Sequence, residues 1–143
     1  MEEKNKAWKT VSSKYLFRRP WLTVRCEDML LPNGNHIPEY YILEYPDWVN
    51  TIAITKDGKF VFVRQYRPGI GRTCYELCAG VCEKEDASPL VSAQRELWEE
   101  TGYGKGNWQE YMVISANPST HTNLTHCFLA TDEIGRASCR ERV

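Results

Sequence analysis

Hydrophobic and polar positions alternate over several short stretches of the chain, which is the pattern of half-buried β-strands. The stretches with this pattern are residues 14–28, 36–45, 48–55, 60–65, 73–78, 110–115 and 125–131. Turn signals separate neighbouring stretches at Asn33–Gly34 and at Asp57–Gly58, because both dipeptides tolerate positive φ. Residues 67–72 and the pair Ala79–Gly80 are predicted loops. The first two stretches therefore predict an antiparallel hairpin at the N-terminus, and the others predict further strands.

One segment has the periodicity and the end signals of a helix. Ser88 is a favourable N-cap, Pro89 suits the first helical position, and Gly102 stands where a left-handed C-cap belongs. The apolar stripe of this segment consists of Leu90, Ala93 and Leu97. We therefore predict a helix over residues 89–101, and a mostly β chain with one central helix is an α/β or α+β domain.

Composition excludes several classes of protein. The 143 residues suit one domain, and 42% hydrophobic with 26% charged residues excludes disordered, collagen-like and coiled-coil chains. A net charge of −1 predicts no nucleic-acid partner. No apolar run approaches the about 20 residues of a membrane helix, so no membrane partner is expected. The N-terminus is polar and charged, which predicts a cytoplasmic location.

The six cysteines stand at 26, 74, 78, 82, 127 and 139. In a cytoplasmic protein they are expected to be reduced. The even spacing of Cys74, Cys78 and Cys82 leaves open a metal-binding protein, but zinc and iron–sulfur sites usually contain a CxxC pair, which this sequence lacks. Small buried side chains are the expected role of these cysteines.

Three carboxylates share the polar face of the predicted helix. Glu96, Glu99 and Glu100 are spaced by three and four residues, so they repel one another. Glu99 and Glu100 also lie near the helix C-terminus, where the helix dipole disfavours anions. A bound Mg²⁺ or Mn²⁺ would relieve both effects, because these cations prefer carboxylate oxygens. The alternative is a solvated helix face with an ordinary Arg95–Glu99 salt bridge.

Residues 80–103 resemble the Nudix box, the loop–helix–loop of the Nudix hydrolases. The core of the box is matched by Arg95, Glu96, Leu97, Glu99, Glu100, Gly102 and Tyr103. The first glycine of the box falls at Gly80, and Asp86 stands where a glutamate is usual, nine residues before Arg95. The loop is thus one residue longer than in the family pattern. The resemblance implies that the residue at position 86 braces the loop.

The resemblance continues upstream of the box and covers residues 12–132. Residues 76–80 resemble the approach to the box in ADP-ribose pyrophosphatase-like members, with Cys78 where proline is usual, and residues 63–67 resemble their preceding strand. This similarity implies a Nudix-type α/β/α sandwich with a mixed sheet and an N-terminal antiparallel hairpin.

The resemblance implies divalent-metal-dependent hydrolysis of a nucleoside diphosphate linked to another moiety, such as ADP-ribose or a similar nucleotide sugar, with release of a nucleoside monophosphate. The metal ligands implied are Glu96, Glu99, Glu100 and the Ala79 carbonyl. Arg95 would orient Glu99, so Arg95, Glu99 and Glu100 are the expected catalytic residues. The cofactor would be Mg²⁺ or Mn²⁺, and the partner a small-molecule nucleoside diphosphate.

Arg64, Arg67 and Glu76 are the candidate substrate residues, because guanidinium groups match phosphate and Glu76 suits a ribose or a metal. Surface charge is the alternative for the arginines, and a strand-end acid for Glu76. A second function remains open on the same fold, that of a catalytically weak nucleotide-binding regulator.

Residues 133–143 have no apolar periodicity and resemble the translation of a sequencing adapter. We therefore predict one Nudix domain over residues 1–132 that is truncated at its C-terminus, followed by a non-native tail; a genuine basic tail is the alternative. The late loop that supplies a further catalytic glutamate in ADP-ribose pyrophosphatase-like members would then be missing. A homodimer is expected for the full-length protein.

Overall fold

The computed structural model describes residues 6–135, which form two units. The first unit contains residues 6–45 and 116–123. The second contains residues 46–115 and 124–135, and it holds the whole of the predicted Nudix box.

The first unit is a three-stranded antiparallel sheet in the order β1-β2-β3. Its strands are β1 (Lys9–Arg19), β2 (Leu22–Leu30) and β3 (His36–Glu44). The predicted antiparallel hairpin is confirmed, but the single strand predicted over residues 14–28 is wrong. The chain reverses at Pro20–Trp21, and Trp21 has a φ of 67°. Pro20 was the available turn signal, because proline favours the second position of a turn, but the left-handed position after it rarely carries a tryptophan.

The second unit is built on a mixed sheet, which confirms the predicted sheet type. Its strands are β4 (Trp48–Thr55), β5 (Phe60–Val61), β6 (Val63–Arg67), β7 (Arg72–Glu76), β8 (Cys78–Val81), β9 (Asn107–Ile114) and β10 (Thr125–Glu133). Strand β4 lies at the centre and pairs in parallel with β10, which pairs antiparallel with β9. The other edge of β4 is shared by β8 and β5, both antiparallel to it. Strands β6 and β7 form a separate antiparallel hairpin.

Two of the predicted strands are each divided by one residue, and one predicted loop is a strand. The stretch 60–65 breaks at Phe62, and the stretch 73–78 breaks at Leu77. Ala79 and Gly80 are not a loop, because they lie within β8 and pair with Asn50 and Val49 of β4. A glycine suggested a turn at position 80, but here it leaves room for the neighbouring Glu96 side chain.

Helix α1 spans Pro89–Thr101, the range that its end signals predict. The Ser88 side chain accepts a hydrogen bond from the Val91 amide at 3.3 Å. Gly102 has a φ of 77°, and its amide donates to the Trp98 carbonyl at 2.9 Å. Both caps satisfy backbone groups that a helix end leaves unpaired. No helix among residues 6–135 has the length and apolar character of a membrane span.

Helix α1 packs against β4, β8 and β10 through two small clusters. The first cluster joins Leu97 to Ala53, Cys78 and Ala130, and the second joins Ala93 to Val49 and Phe128. Leu90 was expected in the apolar stripe but is 37% exposed. The helix covers one face of the sheet, and the second helical layer of the predicted sandwich does not occur among residues 6–135.

Strand β10 runs two residues beyond its predicted end at Thr131. Its last residue, Glu133, is 2% exposed and pairs with Thr55. The strand therefore continues one residue past the predicted domain boundary at residue 132. Burial raises the pKa of the Glu133 carboxyl, and nearby backbone amides offset only part of this effect. Residues 136–143 of the predicted tail lie outside the described residues, and their non-native origin stays a prediction.

Leu97→Ala should lower the free energy of unfolding by about 2–5 kcal/mol, because it opens a cavity between the helix and the sheet. Leu90→Ala on the same helix is the matched control and should cost about 0.5 kcal/mol, since Leu90 is exposed. Urea unfolding of both variants measures the difference. Equal losses would contradict the packing of α1 described here.

Candidate active site

Two of the predicted metal ligands, Glu96 and Glu100, contact the same strand, β8. Glu96 lies against Gly80, and Glu100 lies against Cys78. Gly80 and Cys78 are two residues apart on β8 and therefore face the same side of that strand. Ala79 stands between them, so its carbonyl belongs to the same short segment. The fold thus brings the Glu96 and Glu100 side chains to one face of β8.

The glycine at position 80 makes room for Glu96. A Cβ added to Gly80 would lie 2.1 Å from the Glu96 Cδ, far inside van der Waals contact. Glu96 is 7% exposed, so its carboxylate has little space to move elsewhere. This close approach explains why the box begins with glycine, although the backbone there is an ordinary strand.

Arg95 connects the helix to the loop before it. Its Nη1 lies 2.8 Å from the Glu96 carboxylate and 3.6 Å from that of Glu99. Its Nη2 lies 2.9 Å from Asp86 and donates to the Val81 carbonyl at 3.1 Å. Arg95 was expected to orient Glu99, but its shorter bonds hold Glu96 and Asp86.

Asp86 braces the loop as the resemblance implies. Its carboxylate accepts hydrogen bonds from the Arg95 Nε at 3.2 Å and from the Ser92 hydroxyl at 2.7 Å. The bond from Arg95, helped by Ser92, lowers the pKa of Asp86 to about 2. Aspartate is shorter than the usual glutamate by one methylene, and the loop is longer by one residue. The longer loop thus carries a shorter acid that still reaches Arg95.

Glu100 accepts hydrogen bonds from two uncharged donors. The Cys78 thiol donates to its Oε2 at 3.0 Å, and the Gln65 amide donates to its Oε1 at 3.4 Å. Cys78 is 2% exposed, and burial raises the pKa of its thiol, as does the neighbouring Glu100 charge. The thiol therefore stays protonated and serves as a donor. Sequence reasoning expected Cys78 to be a small buried residue, with a cysteine metal site as the alternative, and missed Gln65. The cysteine at a usual proline position was the available signal.

The three candidate substrate residues do not come together. Arg67 pairs with Glu76 across the β6–β7 hairpin, with its Nε 2.8 Å and 3.0 Å from the two carboxylate oxygens. Arg64 projects from the opposite face of the hairpin because side chains alternate along β6. It is exposed there, and its guanidinium carbon lies 5.9 Å from the centre of the Tyr75 ring.

The donor set suits a hard divalent cation, since Glu96, Glu99 and Glu100 offer carboxylate oxygens along one helix. In the described part of the chain, however, no three cysteine, histidine or carboxylate side chains are grouped closely enough to hold a metal ion. Glu96 contacts Arg95, and Glu100 contacts Cys78. Shared coordination therefore requires side chains of this set to draw closer together than they stand here.

Comparison with protein families matches most of the chain. The NUDIX domain model matches residues 45–139, and the nucleoside diphosphate sugar hydrolase N-terminal domain model matches residues 8–43. The chain belongs to the NUDIX domain family. The box residues described above lie inside the matched region.

Curated relatives and a solved structure are consistent with this assignment. An ADP-ribose pyrophosphatase of Bacillus subtilis (strain 168) is 33% identical over 87% of this chain and 66% of its own length. A methanol dehydrogenase activator of Bacillus methanolicus is 33% identical over 85% of this chain and 65% of its own. The chain thus spans slightly less than two thirds of these relatives. A crystal structure of an ADP compounds hydrolase shares the fold, with a TM-score of 0.83 at 20% identity over 98% of this chain and 75% of that one.

Gly80→Ala should destabilise the protein, because the added Cβ displaces the Glu96 carboxylate. The same substitution in a Glu96→Ala background should cost much less, since the clashing atoms are gone. Thermal unfolding of the two single variants and the double variant gives this non-additivity. Strictly additive effects would show that Glu96 does not occupy the space beside Gly80.

Asp86→Asn should lower the melting temperature at pH 7 by a few degrees. The folded pKa of Asp86, about 2, lies below the about 3.9 of a free aspartate, so its ionised form stabilises the fold above about pH 4. That contribution disappears as the pH falls from about 4 to 2. The difference in melting temperature between Asp86→Asn and the wild type should therefore vanish over this pH range. Glu85→Gln, an exposed acid in the same loop, is the control. A melting-temperature difference that stays constant down to pH 2 would contradict the Asp86–Arg95 bond.

Proposed function

We propose that this chain hydrolyses a nucleoside diphosphate linked to another moiety, with a divalent cation, and releases a nucleoside monophosphate. The substrate we favour is ADP-ribose or a similar nucleotide sugar. The observation that carries the proposal is the convergence of Glu96 and Glu100 on one face of β8, with Arg95 and Asp86 bracing that arrangement.

Glu96, Glu99, Glu100 and the Ala79 carbonyl would hold Mg²⁺ or Mn²⁺. When bound, the cation neutralises charge on the diphosphate and makes the attacking water more acidic. Arg95 keeps Glu96 in place and joins the loop to the helix, which is a positioning role. The Glu99 side chain is 36% exposed and that of Glu96 is 9% exposed, so Glu99 is the more accessible of the two to an incoming substrate.

The residues proposed to contact the substrate lie on the β6–β7 hairpin. Arg67 must exchange its Glu76 partner for a phosphate before it can grip the diphosphate, and Glu76 would then be free to bind a ribose hydroxyl or a metal. Arg64 lies on the other hairpin face and would contact only a part of the substrate that reaches that side. We place the reaction in the cytoplasm, and the homodimer of the full-length protein stays a prediction.

The names of the relatives support the substrate class. Besides the Bacillus subtilis protein, an ADP-ribose pyrophosphatase of Mycobacterium tuberculosis (strain ATCC 25618 / H37Rv) is 29% identical over 90% of this chain and 63% of its own length. The second candidate function, a nucleotide-binding regulator with weak turnover, draws its support from the relative named as an activator. Tight binding of ADP-ribose without release of AMP would favour the regulator.

Glu100→Gln and Glu96→Gln should each lower turnover of ADP-ribose by at least about 100-fold, because each removes one anionic metal ligand while keeping the side-chain shape. The assay measures AMP released in the presence of Mg²⁺ or Mn²⁺. Glu85→Gln removes an exposed acid of the same loop and should leave turnover unchanged. Normal AMP release by Glu100→Gln would refute the assignment of the metal site.

A further inference from the structure

Glu100 occupies an unfavourable place for a negative charge. It lies in the last turn of α1, where the free carbonyls disfavour anions, and that turn contains no basic residue. Two neutral groups nonetheless hold it, since the Cys78 thiol bonds to Oε2 at 3.0 Å and the Gln65 amide to Oε1 at 3.4 Å. Each carboxylate oxygen therefore has a donor from a different strand.

Glu96 is held in a different way. Its Oε1 contacts the Arg95 guanidinium at 2.8 Å, so a full positive charge offsets that carboxylate. Neutral donors fix the orientation of a carboxylate without cancelling its charge, and each oxygen keeps a further acceptor direction. The Cys78 and Gln65 donors thus orient Glu100 and still leave its oxygens able to bind a cation.

Resting on the proposed function, we propose that Cys78 is a positioning residue that, together with Gln65, clamps Glu100 and sets the affinity of the chain for its divalent cation. The clamp consists of the Cys78 thiol and the Gln65 amide. It fixes which way Glu100 presents its oxygens before any cation arrives. Proline, the usual residue at this position in the resembling sequences, has no side-chain donor, so the thiol bond is a feature of this chain.

The clamp also ties the β6–β7 hairpin to the helix. Gln65 lies on β6, on the hairpin face that also carries the Arg67–Glu76 pair. Cys78 follows β7 after a single intervening residue, Leu77. Gln65 in β6 and Cys78, the first residue of β8, therefore meet at the same carboxylate of α1.

The test titrates Mn²⁺ into the substrate-free, metal-free chain and measures its affinity by calorimetry. Cys78→Ala should weaken Mn²⁺ binding by about 10-fold or more, the usual effect of losing a partner of a metal ligand. Cys78→Ser keeps a donor and should recover most of the affinity. Cys127→Ala is the matched control, because Cys127 is also buried in the sheet of this unit and should alter Mn²⁺ affinity less than about twofold.

Gln65→Met removes the second donor at similar length and keeps the proposal testable if Cys78→Ala fails to fold. It too should weaken Mn²⁺ binding, with an unchanged melting temperature. Mn²⁺ affinities of Cys78→Ala and Gln65→Met equal to that of Cys127→Ala would overturn the clamp alone. A wild-type chain that binds no Mn²⁺ would overturn both the clamp and the proposed function.

Discussion

The guanidinium of Arg95 joins the three parts from which the site is made. It bonds to Asp86 in the loop, to Glu96 on the helix and to the Val81 carbonyl at the end of β8. Arginine has several donors in one planar fork, so it can satisfy partners on different sides at once. Without the Arg95 charge, the largely buried Asp86 and Glu96 would lack a counter-ion. An uncompensated buried charge destabilises a fold by much more than an exposed ion pair stabilises it.

The face of α1 that meets the sheet combines apolar and polar side chains. Ala93 and Leu97 are fully buried, and Ser92 and Glu96 are buried beside them. A purely apolar stripe would pack more simply, but it would place no carboxylate against β8. Polar burial is tolerated here because each group has a specific partner: Ser92 donates to Asp86, and Glu96 accepts from Arg95.

Much of the fold follows from local patterns. The helix bounds were predictable because its N-cap, its first proline and its C-cap glycine act on neighbouring backbone groups. Strand β4 was predictable from its alternation. The turn at Pro20–Trp21 was not, because its left-handed position carries a tryptophan, which rarely adopts positive φ. The same holds for Gly80, whose place in β8 is decided by pairing with β4 and by contact with Glu96.

The sequence by itself determined the family resemblance, the helix and the set of three carboxylates, since residue type and spacing along one helix place them on one face. Only the tertiary structure decided what these groups touch. Strand register put Arg64 and Arg67 on opposite faces of a hairpin and paired Arg67 with Glu76. Packing of α1 on β8 set Cys78 against Glu100. Such contacts join residues far apart in the chain, so they depend on pairing and packing that no local pattern encodes.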